Sequence, residues 1–396
     1  MYRLGLRGFH AGSVAAFKQK AKEQTVKMRT PKKGSGEYRN FRRAAAYSKF
    51  SKSASEVAVG TENLRIFAAP DLETPISEPS MVVFPDAVQA SLVHMADFQP
   101  QQNNELFLQR ASLLRDESSQ IQNILKQASS SEQRALLTGP AGSGKSTLLA
   151  QAHAMAKLQN WIVLHIPRAE ELIDGSTDAV ASKSGAVFDQ PMLSRRWAQR
   201  IAKANRDVLT SDDIKLLRSS SAKEDPVGSL TAFISQLENG DRPVLISADS
   251  LNAFVKTPFA ANRSKENEPI YHADLQIPRI LLDFLSAKRK FKHGAVLAAT
   301  SGRIVSNDTI AIGLGHGSAP AYATPEEFDS ELAAKLQGIR EIAVSSFSPA
   351  ETDVYLRYVA AAGLTEYSPE LVAAKYAVSG NGNPRALLRS CVSFAL

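Results

Sequence analysis

From residue 134 onward the chain alternates short apolar runs with longer amphipathic stretches. The runs are Ala135–Thr138, Trp161–Ile166, Val244–Ala248, Ala295–Thr300 and Ile342–Val344. Short continuous apolar runs bounded by turn residues predict strands buried on both faces, and helical stretches between them predict parallel crossovers. The expected fold is α/β, built on a parallel sheet. After residue 347 only helical periodicity remains. Ser348-Pro349-Ala350-Glu351 and Ser368-Pro369-Glu370 each join an N-cap hydroxyl to a proline at the first helical position. Residues 206–228, polar and Ser-rich, and residues 302–330, with several glycines, read as surface insertions.

The segment before the sheet has a different texture. Pro70, Pro75, Pro79, Pro85 and Pro100 punctuate residues 60–104. Proline fixes φ and removes a donor, so an extended strap over a domain surface is expected. A helix is expected over 104–128, with Phe107, Ala111, Leu114, Ile121 and Leu125 on one face. The expected domains are a basic arm (1–59), a strap and helix packing on the core (60–130), an α/β domain (131–347) and a helical domain (348–396).

Composition narrows the chemistry. A single cysteine, Cys391, excludes an internal disulfide and a cysteine metal cluster, and the seven histidines are scattered singly. No run approaches the length of a membrane span. The net charge of +7 is uneven. Residues 1–50 hold 13 Lys/Arg against Glu23 and Glu37, whereas the rest holds 34 basic and 38 acidic residues. An arm with Phe17, Tyr38, Phe41, Tyr47 and Phe50 among its cations suits phosphate neutralisation and base stacking. The first 17 residues contain Arg3, Arg7, small residues and no acid, the composition of a mitochondrial targeting segment.

Gly139-Pro140-Ala141-Gly142-Ser143-Gly144-Lys145-Ser146 matches GxxxxGK[ST] in full, between an expected strand and an expected helix. Backbone N–H groups must converge on phosphate oxygens there, which requires glycine where the loop turns tightly. Lys145 supplies a point charge for the β- and γ-phosphates, Ser146 is a Mg²⁺ ligand, and Thr147 opens a helix whose N-terminus faces the anion. A second Mg²⁺ carboxylate is needed from another strand; Asp249, ending Val244–Ala248, fits. P-loop ATPases of the additional-strand class often place Glu directly after this Asp, but Ser250 stands here. A hydroxyl is no general base at neutral pH, so slow or absent hydrolysis is expected unless another Asp or Glu reaches the site. Thr300, ending a later strand, and Arg385, opening a late helix, are candidate phosphate contacts. The guanine-reading [NT]KxD motif does not occur. Five strands, a sensor-like strand and a helical lid resemble AAA+ and related ATPases.

Further blocks carry a closer resemblance. Asn160-Trp161-Ile162-Val163-Leu164-His165-Ile166-Pro167 follows the P-loop, then Phe188-Asp189-Gln190-Pro191 and Trp197, then Asn252-Ala253-Phe254 after Asp249. With them the chain resembles the death-associated-protein family of mitochondrial small-ribosomal-subunit proteins, over roughly 100–396. The resemblance implies a mitochondrial matrix protein in the small-subunit head, with ribosomal proteins and rRNA as partners and large-subunit contact left open. It implies GTP or GDP with Mg²⁺ in the P-loop, mainly as a structural ligand, with ATP as the alternative. This carries over to Gly139, Gly142, Gly144, Lys145, Ser146 and Thr147, and less directly to Asp249 and Arg385. The rival reading is an active AAA+-like ATPase with a nucleic-acid or signalling role. Asp189 and Gln190 acquire no chemical role from the sequence.

Overall fold

The computed structural model describes residues 64–98, 106–107, 110–182, 187–304 and 307–392. The arm and targeting segment expected over 1–59 lie outside the described residues. The described residues all fall within a single unit, Val57–Phe394.

A small three-stranded ribbon comes first. Strand β1 (Arg65–Ile66) pairs parallel with β2 (Ser80–Val83), which pairs antiparallel with β3 (Ala111–Leu114). Helix α1 (Asp86–Met95) lies between β2 and β3 in sequence. Two expectations are corrected here. The strap is not extended throughout, because its prolines start elements: Pro85 is the N-cap of α1 and Pro70 opens a 3₁₀ turn, where a missing N–H costs nothing. Nor is 104–128 one helix. Ala111–Leu114 is a strand, and helix α2 spans only Asp116–Ala128. Ala111 and Leu114 have helical spacing, but Ser112, Leu113 and Leu114 are all buried. A short apolar run covered on both faces has no period to read.

The five expected strands are all present. β4 (Gln133–Thr138) leads into helix α3 (Lys145–Leu158) and then β5 (Ile162–Ile166). A short antiparallel pair comes next, β6 (Val180–Ala181) with β7 (Phe188–Asp189). After it come α4 (Pro191–Ala204), α5 (Ser211–Arg218), α6 (Ser220–Glu224) and α7 (Pro226–Asn239). The Ser-rich 206–228 stretch, expected as a surface insertion, is largely helical. Its polar residues cap helices: Thr210 accepts from the Asp213 N–H and Asp225 from the Gly228 N–H. β8 (Val244–Ala248), α8 (Ala253–Lys256), the hairpin of β9 (Phe259–Arg263) and β10 (Pro269–Tyr271), and α9 (Gln276–Leu285) lead to β11 (Gly294–Ala299). Between β11 and β12 (Arg340–Ala343) lie α10 (Thr309–Gly313), an exposed loop over 315–327 and α11 (Ser330–Leu336). Helices α12 (Pro349–Ala361), α13 (Pro369–Val378) and α14 (Pro384–Cys391) close the chain. Ser348 and Ser368 cap α12 and α13 as expected, accepting from the N–H groups of Glu351 and Leu371.

The sheet order is β12-β4-β11-β8-β5, all parallel. The glycine-loop strand β4 is thus separated from the Asp249 strand β8 by β11. This is the additional-strand arrangement, and the fold is a P-loop α/β core with C-terminal helices after it. Successive residues serve opposite faces. Leu137, Val163, Leu245 and Leu297 pack toward α2 and α3; Leu136, Leu164, Ile246 and Val296 pack with α4, α7 and α9.

β5 is a sheet edge, and α4 covers it. Ile162 donates to Pro243 on the β8 side, so Val163 faces outward. Buried Asn205, just after α4, closes that side like a neighbouring strand. Its Oδ1 accepts from the Val163 N–H and its Nδ2 donates to the Val163 carbonyl, both at 2.8 Å. Trp197 donates its indole N–H to the His165 carbonyl at 3.1 Å. An uncovered edge would leave buried backbone groups unpaired. Asn205→Ala should therefore cost about 2–4 kcal/mol of stability, since two buried groups lose their partners. Urea unfolding of the full chain checks this; exposed Asn239→Ala should change it by less than ~0.5 kcal/mol.

Candidate functional site

The loop between β4 and α3 holds three glycines at positive φ: Gly139 at 131°, Gly142 at 82° and Gly144 at 101°. The first two also touch neighbouring backbone or side chains closely. A Cβ at Gly139 would lie 2.3 Å from the Val344 carbonyl oxygen, and one at Gly142 would lie 2.7 Å from Asn383 Oδ1 and 2.8 Å from Arg385 Cβ. Gly144 has nothing within 4 Å, so its φ alone demands glycine. As the N-cap of α3, Gly144 aims the helix N-terminus into the loop.

The candidate side chains converge at the C-terminal ends of β4, β11 and β8. Lys145 Nζ donates to the carbonyls of Gly139 and Pro140, each at 2.7 Å. Burial lowers its pKa, and Asp249 opposes this in part. Ser146 Oγ donates to Asp249 Oδ2 at 2.6 Å, joining the two expected Mg²⁺ ligands across 103 residues of sequence. Asp249 also accepts from the Ser250 N–H at 2.7 Å. Burial raises the Asp249 pKa against these bonds and the Lys145 charge. Ser250 adopts φ 63°, a left-handed conformation uncommon for serine. Thr300 lines the same cavity, its hydroxyl donating to the Leu137 carbonyl at 3.3 Å. Pro140, Ala141 and Thr147 lie in or beside the loop, and Ser143 is fully buried with no partner for its hydroxyl.

The C-terminal helices reach this loop directly. Asn383 Nδ2 donates to the Ala141 carbonyl at 2.8 Å, and the Arg385 N–H donates to the Gly142 carbonyl at 3.3 Å. Asn383 Oδ1 meanwhile accepts from the Ala386 N–H, capping α14. Arg385 lines the cavity, and its Nε is buried without a partner. Burial lowers its pKa, and Arg389 and Arg303 add repulsion.

The cavity measures about 630 Å³. Lys145 and the arginines Arg115, Arg168, Arg200, Arg303 and Arg385 line it, against the carboxylates Glu170, Glu171 and Asp249. A chain whose body is slightly acidic therefore gathers a cation surplus here. Phe107, stacked on Tyr358 with centroids 4.9 Å apart, and Phe98 supply aromatic wall. Such a cavity suits a polyanion with a planar group attached.

Several positioning residues carry no sequence signal of their own. Buried Asn252 donates to the Ser301 and Ile304 carbonyls at 2.9 and 3.0 Å and accepts from the Ser301 N–H at 2.8 Å. It fixes the turn after β11, bringing Gly302 so near that a Cβ would lie 2.3 Å from Ala141 Cα. Gln190 donates to the Leu172 carbonyl at 2.7 Å, holding the 3₁₀ turn that carries Glu170 and Glu171. Asp189 sits in the β6–β7 pair, away from the loop residues named above; burial and Asp225 raise its pKa. Only the family blocks Asn252-Ala253-Phe254 and Phe188-Asp189-Gln190-Pro191 hint at these positions.

Comparison with known proteins gives the family. The family model described as mitochondrial ribosomal death-associated protein 3 matches residues 112–223 and 213–390. A curated relative in Neurospora crassa, small ribosomal subunit protein mS29, is 26% identical over 374 residues, covering 85% of this chain and 79% of its own. A Schizosaccharomyces pombe protein of the same name is 24% identical over 349 residues, with coverage of 81% and 72%. Among solved structures, a Walker-type ATPase of Pyrococcus abyssi aligns with TM-score 0.41 at 14% identity, covering 71% of this chain and 67% of its own. The Aeropyrum pernix Orc1 protein in complex with DNA aligns at 0.37 and 16%, covering 71% and 59%. The family match runs through the glycine loop, the Asp249 strand and the helix that carries Arg385, and the chain belongs to the mitochondrial ribosomal death-associated protein 3 family.

Proposed function

We propose that this protein is a component of the small subunit of the mitochondrial ribosome, and that its P-loop holds a guanine nucleotide with Mg²⁺ mainly as a structural ligand. Family membership carries the mitochondrial ribosomal location. The observation that carries the nucleotide role is the meeting of α14 with the loop. Asn383 and Arg385 touch Ala141 and Gly142, and Arg385 lines the cavity.

The residues present fit such a ligand. The loop N–H groups and Lys145 would hold the phosphates, Ser146 and Asp249 the Mg²⁺, and Arg385 an outer phosphate, with Thr300 beside them. The Phe107–Tyr358 end offers a face for a purine; guanine rather than adenine rests on the family resemblance. Mg²⁺ supplies charge neutralisation to the phosphates when bound. A ligand held by both the loop and α14 stabilises their union by mass action, about 2.7 kcal/mol at one hundred times Kd. Ser250 offers no general base, so turnover is slow. Ribosomal neighbours would meet the mildly acidic body; the basic arm, outside the described residues, suits rRNA. Contact with the large subunit belongs to the same proposal.

One observation favours the rival, a cycling AAA+-like ATPase with a nucleic-acid or signalling role. Glu170 comes just after the strand next to β8, lines the same cavity and acts electrostatically on Asp249. A carboxylate placed there could orient water.

Turnover separates the two. Purified protein with GTP or ATP should hydrolyse below about one per second, the low end of enzyme turnover; faster, Glu170-dependent hydrolysis would establish the cycling enzyme. Competition among fluorescent GTP, GDP and ATP reads the base preference. Lys145→Ala should weaken binding about 10- to 100-fold, the worth of a hydrogen bond to a charged group. In sucrose gradients of gently lysed mitochondria the protein should co-migrate with the small ribosomal subunit, and Lys145→Ala should shift it toward the free fractions. Undisturbed assembly of that variant would count against the structural-ligand role.

A further inference from the structure

Just over two turns along α3 from Lys145, the side chain of His153 is fully buried. It meets side chains from three other parts of the fold: Asp97 just after α1, His165 on β5 and Ser247 on β8. All four residues are at most 4% exposed. His153 Nδ1 lies 2.8 Å from Asp97 Oδ1, and His165 Nε2 lies 3.5 Å from the same oxygen. Ser247 Oγ lies 2.7 Å from His153 Nε2 and 2.9 Å from His165 Nδ1. The imidazole centroids are 4.4 Å apart. Four polar groups thus form a closed ring of contacts inside the sheet–helix core.

Three of these contacts are hydrogen bonds, and one N–H from each imidazole together with the Ser247 hydroxyl can fill them. The fourth, 3.5 Å from His165 Nε2 to Asp97 Oδ1, is an ion-pair separation across which a ring nitrogen and a carboxylate oxygen face each other. Arg200 acts electrostatically on both Asp97 and His165. Two ring nitrogens and a carboxylate oxygen thus converge on one place in the core.

We propose that Asp97, His153 and His165 bind a divalent transition-metal ion of the zinc class. Asp97 Oδ1, His153 Nδ1 and His165 Nε2 would be the ligand atoms, and the ligand atoms of these three residues lie within 4.8 Å of one another. An ion about 2.0–2.1 Å from each tetrahedral donor sets the donors about 3.3 Å apart. The observed 2.8 and 3.5 Å to Asp97 Oδ1 bracket that spacing. The ion takes the lone pair of each ring on the carboxylate side. Both remaining N–H groups then donate to the two lone pairs of Ser247 Oγ. A single hydroxyl thereby orients both ligating imidazoles, the outer-shell support that metal-bound histidines require. Two imidazoles and one carboxylate suit Zn²⁺, unlike the all-oxygen donor set that Mg²⁺ prefers at Ser146 and Asp249. The ion would tie the end of α1 to the P-loop helix and to two adjacent strands.

The test uses the untagged full-length chain, purified without chelator. Elemental analysis should find about one zinc per chain, reduced below a tenth in Asp97→Asn and His165→Gln. Ser247→Ala keeps the three ligands and should still bind, about 10- to 100-fold more weakly. Chelation should lower the melting temperature and added Zn²⁺ should restore it. Replacing zinc by Co²⁺ in the unmutated chain should give the visible absorption of a low-symmetry site, which decides the matter even if a variant fails to fold. A metal-free protein with no Co²⁺ spectrum would overturn the proposal. Equal metal in the unmutated and Asp97→Asn chains would overturn it as well, marking the ion as adventitious.

Discussion

Everything around the loop depends on backbone approaching backbone where no Cβ fits. Gly139 lies against Val344 in the segment after β12, Gly142 against the start of α14, and Gly302 against Ala141. Three distant stretches of chain are thereby set down on one short loop. The glycines of a P-loop are usually explained by the phosphate they admit. Here two of them have a second reason, because a methyl group at Gly139 or Gly142 would push away the protein itself. Gly144 is the contrast: open space surrounds it, and only its φ of 101° excludes other residues.

What can be read in the sequence depends on how local each signal is. The five core strands are legible because each is a run of apolar residues covered on both faces, and the loop because its spacing is contiguous. Ser348 and Ser368 are legible because a cap and its N–H partner lie three residues apart. The front of the molecule defeats the same reading for the complementary reason. Ala111–Leu114 is too short to show a period, and its strand character comes from pairing with β2, some thirty residues earlier. Asn205, Asn252 and Asn383 look like ordinary loop asparagines. Each becomes a positioning residue only when folding brings Val163, Ser301 or Ala141 beside it. His153 and His165 look like scattered histidines for that reason; the ring that joins them to Asp97 and Ser247 spans 150 residues of chain.

Charge is organised on the same scale. The body carries a small acidic excess, yet six cations and three carboxylates face one cavity. Burying cations costs folding energy, as the lowered pKa values of Lys145 and Arg385 express, and neighbouring arginines add to the cost at Arg385. Buried Ser143 Oγ and Arg385 Nε remain without partners beside the loop. Unpaired polar groups and mutually repelling cations are sites where a fold has given up stability for something else. A phosphate group would reverse each of these costs at once, by charge for the arginines and by acceptors for the orphaned donors.

The same contacts bear on whether such a ligand would drive a cycle or act as a brace. A switch needs two arrangements separated by a few kcal/mol, with the ligand favouring one of them. Helix α14 is joined to the loop by the Asn383 amide and by the Arg385 N–H, and its approach is fixed by Phe347 donating to the Gly382 carbonyl at 2.8 Å. A Cβ at Gly382 would lie 2.2 Å from the Phe347 carbonyl oxygen, so this junction too is closed backbone to backbone. These bonds run from protein to protein. A nucleotide held by both the loop and α14 would add to them, and its differential affinity for closed over open would be spent on holding this arrangement. Ser250, where a catalytic carboxylate would stand, points the same way and fits the proposed structural ligand better than a cycle.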